Sequence, residues 1–294
     1  MAVRKTSVSR KRSSRSSSVP KKGSTFLLEI GTEELPSAFL PQALEDLKRL
    51  GQELFESRRL GVDSLHTVGT PRRLALLVKG VEPKQASLTE EVFGPPKSAA
   101  FDALGKPTKA AEGFAKSQGV PVEALIVKET PKGMYVCVQK HQKGLPAKRV
   151  LVETIPHLLA QMHFPKAMRW NASRVKFARP VRWIVAMLGK EVLQFEFGGI
   201  RSGRQTRGHR YPRRTGRQAR PPLNVPQASF YLETMTKAGV VVDPQERRKL
   251  IEGQVSKLAG AAKGIIDPET RQELIDAAVY GVESPRATAG TFHP

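Results

Sequence analysis

The sequence predicts an α+β chain, mainly antiparallel sheet with packed helices and then a mostly helical region, behind a disordered basic N-terminal tail. Three observations predict it. Short apolar runs of strand length (Phe26–Ile30, Leu74–Val81, Trp183–Leu188) sit close to Gly- and Pro-containing turns. Between them, Leu40, Ala43, Leu44, Leu47 and Leu54 recur at helical spacing. Beyond Pro221-Pro222 the signals are helical starts. The implied organisation is a tail over 1–24, an α+β domain over 25–220 and a mostly helical, truncated region over 221–294.

The tail Met1–Ser24 holds eight Lys/Arg, no acid and no apolar periodicity, so it has nothing to bury and is expected to be disordered. Its composition fits either a plain basic extension or an organellar transit peptide. Order begins with the strand Phe26–Ile30. Gly31-Thr32-Glu33-Glu34-Leu35-Pro36 then turns into a helix over about 37–59, ended by Gly61. Strands near Leu65–Val68 and Leu74–Val81 flank the turn Gly69-Thr70-Pro71-Arg72-Arg73. Phe93-Gly94-Pro95-Pro96 reads as a loop leading to a small helix near Thr108–Ser117. A strand pair follows, about 124–129 and 134–140, with Lys132-Gly133 between them. Ala147–Met162 reads as a helix interrupted or restarted at Pro156. Val181–Leu188 and Val192–Phe197, linked by Gly189-Lys190, read as a hairpin. Further helices are expected over Gln227–Ala238, over Pro244–Ala262 with Asp243 as N-cap, and from Asp267-Pro268 to about Tyr280. The end, Thr291-Phe292-His293-Pro294, reads as an interrupted chain.

Charge is concentrated. The chain carries +22, and the stretch from Phe164 to Arg220 holds 15 Lys/Arg against Glu191 and Glu196 alone. Tail and stretch together account for 21 of those 22 charges. A buried strand bracketed by cationic flanks suits a platform that offers guanidinium groups to a polyanion. Arg201, Arg204, Arg207 and Arg210 are its most regular series and are read as phosphate contacts. So are Arg72 and Arg73, which follow a rigid Pro turn. Trp170 has two readings, a base-stacking surface ring or a core residue.

Enzyme motifs are missing. There is no phosphate-binding Gly-x-x-x-x-Gly-Lys-Ser/Thr, no Gly-x-Gly-x-x-Gly after a strand, no His-Glu-x-x-His and no Gly-x-Ser-x-Gly. The single cysteine, Cys137, excludes an internal disulfide and a cysteine-only zinc site. No metal site and no catalytic residue is expected. Glu29, Glu33 and Glu34 form the one acidic cluster of the first ordered segment. They serve either the following helix N-terminus or acid/base chemistry. No apolar run approaches the 20 or so residues of a membrane span, and a reducing, cytoplasmic setting is the default.

Several blocks carry a resemblance. Leu28-Glu29-Ile30-Gly31-Thr32-Glu33-Glu34-Leu35-Pro36, Thr70-Pro71-Arg72-Arg73-Leu74-Ala75, Gly94-Pro95 and Phe101-Asp102 are similar to the opening of the beta subunit of bacterial-type heterotetrameric glycyl-tRNA synthetase (glycine–tRNA ligase). Pro107–Ala111, Gly113-Phe114-Ala115, Phe164–Trp170, Phe177, Arg179–Trp183, Ser202–Arg210, Val241-Val242-Asp243 and Glu246-Arg247-Arg248 continue it in order. The resemblance runs from about residue 26 to 294 and implies the N-terminal portion of that subunit. It also implies a tetramer of two alpha and two beta chains that attaches glycine to tRNA(Gly). ATP, and with it Mg, would be bound by the catalytic alpha subunit, while beta supplies tRNA binding and assembly. The tail is not part of the family pattern, Arg213–Pro222 is more basic than expected, and Ser284 stands where an aromatic is usual. Two other readings are a free-standing RNA-binding protein of ribosomal type and an independent enzyme working from Glu29, Glu33 and Glu34.

Overall fold

The computed structural model describes residues 23–102, 104–131, 133–210, 221–262 and 267–288. The expectations for the tail before Gly23, for Lys132, for the basic stretch 211–220 and for the end of the chain lie outside the described residues.

The chain is built on one sheet buried on both faces. Strand β1 (Ser24–Thr32) pairs antiparallel with β3 (Arg73–Val81) on one side and with β9 (Val181–Leu188) on the other. β2 (Ser64–Thr70) pairs with β3 across a tight turn at Pro71-Arg72. Because side chains alternate along a strand, Phe26, Leu28 and Ile30 point to one face with Leu74, Leu76, Ile184 and Ala186. There α1 (Leu40–Ser57) and α4 (Ala147–Gln161) cover them. The odd-numbered Leu27 points to the other face with Ala75, Leu77, Val185 and Met187. This double burial explains why Phe26–Ile30 reads as an almost unbroken apolar run.

The cover on the second face comes from beyond Pro221-Pro222. Val225, Ala228, Tyr231, Met235, Val240 and Val242 pack there, from α5 (Tyr231–Lys237) and its flanks. β13 (Gln205–Thr206) pairs with β14 (Leu223–Asn224), so pairing and packing join the two sides of the proline pair. α6 (Pro244–Ala261) and α7 (Pro268–Gly281) follow, capped by Asp243 and Asp267, whose side chains accept from Gln245 N and Thr270 N. Arg247 of α6 is fully buried and donates to Val279 O (2.7 Å) and Val241 O (2.6 Å). Burial pulls its guanidinium down to about 10, with Asp243 opposing.

Several expectations are corrected here. Phe93-Gly94-Pro95-Pro96 is not a loop but the end of β4 (Leu88–Pro96), which pairs with β6 (Gly133–Gln142) and slips register between Phe93 and Pro96. β5 (Ile126–Thr130) completes that second sheet, with α2 (Lys97–Ala100) and α3 (Lys109–Gln118) packed around Val136. α1 ends at Ser57, where Arg59 turns the chain with φ 52°, rather than at Gly61. α4 runs through Pro156 without a restart.

The expected hairpin from Val181 to Phe197 holds for only two residues. β10 (Glu191–Val192) pairs with β9, and the chain then leaves. β11 (Glu196–Phe197) instead pairs with β12 (Ile200–Gly203) across Gly198-Gly199, both at positive φ as such a two-residue turn requires. β12 returns parallel to β9, setting Ser202 opposite Ile184 and Gly203 opposite Val185. Two short strands, β7 (Met168–Arg169) and β8 (Lys176–Phe177), form a separate pair.

A candidate nucleic-acid interface

Where β9, β12, β13 and β14 meet, the surface opens into a cleft of about 610 Å³. Arg182, Arg201, Arg204 and Arg207 line it together with Trp183 and Asn224, and among the described residues no acid does. All four arginines are exposed. β12 and β13 are short and polar, so the chain carrying Arg201 and Arg204 stays at the sheet margin while β9 runs on into the core.

Beneath the cleft lies a buried charged cluster whose origin is the strand register. Gly31 of β1 stands between Trp183 of β9 and Arg73 of β3 in one row across the sheet. A Cβ at Gly31 would come within 1.9 Å of the Trp183 indole. The missing side chain therefore lets the ring lie flat across β1, with the Arg73 guanidinium 5.5 Å from its centroid. Arg72 and Arg207 also face the ring, at 5.8 and 5.1 Å. Gly31→Ala is expected to lower stability by about 1–3 kcal/mol through overpacking and to shift Trp183 emission. A denaturant melt followed by fluorescence checks both, and an unperturbed melt and spectrum would mean the ring is not seated there.

Glu29, fully buried two residues before Gly31, accepts from the Trp183 indole N–H and from Thr206 Oγ1 (2.7 Å), and lies 3.6 Å from Arg73. Arg73 donates from Nη1 to Arg207 O (2.7 Å) and from Nη2 to Glu283 (3.1 Å). Glu283 also accepts from Thr70 Oγ1 (2.8 Å). Burial works against the Arg73 charge, but Glu29 and Glu283 outweigh it and hold its pKa above the ordinary arginine value. For Arg72 burial wins, with Arg73, Arg210 and Arg207 adding repulsion and Glu283 opposing, so its pKa falls. Burial, with Glu29 nearby, pushes the Tyr231 phenol well above its usual value.

The sequence-predicted residues are thus divided. Arg201, Arg204 and Arg207 come together in the cleft. Arg210 is exposed but outside the cleft lining, paired with Glu34 at 3.1 Å. Arg73 cannot present its donors to a phosphate, because strand alternation turns it inward with Ala75 and Leu77. Arg72 is 13% exposed and 3.7 Å from Glu283. Trp170 is half-buried against the main core, its ring 3.1 Å from where a Gly198 Cβ would stand, which favours the core reading. The acidic cluster does not sit at the helix N-terminus. Glu29 is in the buried network, Glu33 pairs with Arg182 (2.6 Å) and Glu34 with Arg210, while α1 begins only at Leu40. Sequence reading missed Gly31, Trp183 and Glu283 as members of one cluster. A signal existed for the first two, since a glycine and a charged residue inside a doubly buried strand require an explanation.

Such a cleft can hold a phosphodiester chain. Arg204 spends one donor on Lys190 O (3.2 Å), and Arg201 has only a loose 3.5 Å exposed pair with Glu196. Exposed pairs of this kind are worth about 0–1 kcal/mol and yield readily to a phosphate.

Comparison with known proteins decides the family. The model of the glycyl-tRNA synthetase beta subunit matches residues 26–294. The chain belongs to that family. It is 42% identical over 267 residues to the glycine–tRNA ligase beta subunit of Geobacter metallireducens, covering 91% of this chain and 38% of that one. The beta subunit of Moorella thermoacetica is 41% identical over 269 residues, covering 92% and 38% respectively. For Desulforamulus reducens the figures are 42% over 267 residues, 91% and 37%. The chain therefore spans under two-fifths of the length of these relatives. Within the beta-subunit family match lie both the cleft and every residue of the buried cluster beneath it.

Proposed function

We propose that this chain acts as the N-terminal portion of a glycine–tRNA ligase beta subunit. In that role it takes part in the ATP-dependent attachment of glycine to tRNA(Gly) by binding tRNA and assembling with the catalytic alpha subunit. The observation that carries the reading is the family match from residue 26 to 294, within which the arginine cleft falls. Four guanidinium groups around one acid-free cleft suit the regularly spaced phosphates of RNA, and cationic contacts of this kind supply affinity without reading sequence. ATP, Mg and the glycyl-adenylate chemistry belong to the alpha subunit in a cytoplasmic complex of two alpha and two beta chains. The acidic cluster supports that division of labour, since Glu29 is buried and Glu33 and Glu34 are ion-paired.

Glycine-dependent pyrophosphate exchange tests it. The purified chain alone should show none, and exchange should appear once the alpha chain is added and co-elutes with it. Exchange by the alpha-free chain would overturn the division of labour, and failure to associate with alpha would overturn the assembly.

A further inference from the structure

Arg207 reaches the cleft by an unusual support. Its guanidinium stacks over Trp183, and its carbonyl oxygen is held by Arg73 Nη1 at 2.7 Å. The same guanidinium of Arg73 is gripped at its other nitrogen by Glu283, at 3.1 Å. Glu283 lies just beyond α7, 210 residues along the chain from Arg73. It is 7% exposed, and its own carbonyl accepts from Val241 N at 2.9 Å, which locks it to the segment between α5 and α6. One carboxylate thus joins the helical region to the backbone of the cleft.

The charges explain why the position needs an acid. Arg72, Arg73 and Arg207 all lie within 6 Å of the centre of one indole ring. Glu29 contacts only Arg73 of the three, and Arg72 has Glu283 as its ion-pair partner. Without the Glu283 charge, the bond at Arg73 Nη2 would weaken to one with a neutral acceptor and Arg72 would lose its counter-ion, while three cations remained around the ring. Repulsion is screened least at Arg72 and Arg73, which are 13% and 0% exposed. It would turn Arg73 away from Arg207 O and release the Thr206-Arg207 backbone.

We infer that Glu283 is a positioning residue for the cleft: acting through Arg73, it fixes the backbone at Arg207 and so aims that guanidinium at a phosphate of bound RNA. The inference rests on the phosphate-contact reading of the cleft. It gives the helical region a part in RNA binding although its own residues at α6 and α7 do not line the cleft.

The experiment compares salt slopes of affinity for a tRNA(Gly) transcript, using the full chain below its melting transition. Arg207→Ala should lower the slope by roughly 0.7 to 0.9, one phosphate contact. Glu283→Gln should lower it by the same amount, and the double variant should lower it no further. Leu159→Ala, which weakens the opposite core, should reduce the denaturation midpoint and leave the slope unchanged. Should Glu283→Gln show no cooperative melt, Glu283→Met, which keeps the side-chain volume without the charge, carries the test with the same expected slope loss. A slope lowered by Arg207→Ala but not by the Glu283 variants overturns the positioning role alone. A slope that adds in the double variant does so too. A slope unmoved by Arg207→Ala overturns the phosphate reading of this residue and the inference with it.

Discussion

Glu29→Ala is expected to destabilise the chain by about 3–5 kcal/mol, the cost of breaking a buried ion pair by removing one partner. Glu29 is 0% exposed, as is Arg73. Truncation leaves the Trp183 indole N–H without its acceptor and the Thr206 hydroxyl with the weak Met235 sulfur at 3.7 Å, and a buried orphan costs about 1–3 kcal/mol. Arg73 keeps Glu283 but loses its second counter-ion in a region closed to water. Glu33→Ala is the fitting control. It removes an exposed partner of Arg182 only four residues along, and should change stability by no more than about 1 kcal/mol. Denaturant midpoints of the two variants measured side by side decide. A Glu29→Ala shift no larger than that of Glu33→Ala would mean the carboxylate is hydrated rather than enclosed.

The second large effect is on RNA affinity. Replacing Arg182, Arg201, Arg204 and Arg207 together by Ala removes every cation that lines the cleft among the described residues. At roughly 0.7 to 0.9 per phosphate contact, the salt slope of tRNA binding should fall by about three. Extrapolated from a 1 M reference, affinity at about 0.1 M salt should drop on the order of a thousandfold. Stability should change little, since the four side chains are exposed and their acidic partners Glu33 and Glu196 are exposed too. Equal loss of stability and affinity, with the slope intact, would mean these arginines support the fold instead of touching phosphates.

Much of the fold was legible in the sequence because periodicity is a local property. The stripe of Leu40, Ala43, Leu44, Leu47 and Leu54 is buried as predicted, and Asp243 and Asp267 cap the helices they announce. β4 was not legible, because Pro95-Pro96 removes two backbone donors and reads as a loop, although an edge strand tolerates them. The hairpin after Val181 failed for another reason. Gly189-Lys190 does turn the chain, but pairing β12 parallel to β9 depends on what the β11–β12 excursion finds on its return.

The cleft was half legible. Arg201, Arg204 and Arg207 stood out by charge alone, and charge density survives folding. Arg73 was misread, since an arginine beside a Pro turn ordinarily faces water. Only its register opposite Gly31, against which the Trp183 ring lies, reveals that it faces the buried side of the sheet. Glu283 carried no local signal at all, being tied to Arg73 by tertiary packing over 210 residues.

Cross-linking addresses the location of RNA on this chain most directly. Ultraviolet cross-linking of a tRNA(Gly) transcript to the full chain, with peptides mapped by mass spectrometry, should place adducts at Arg182–Trp183 and over residues 200–207. Those adducts should fade with rising salt. Adducts confined to the β4–β6–β5 sheet or to residues 1–22, with none around the cleft, would contradict the assignment of this surface to RNA.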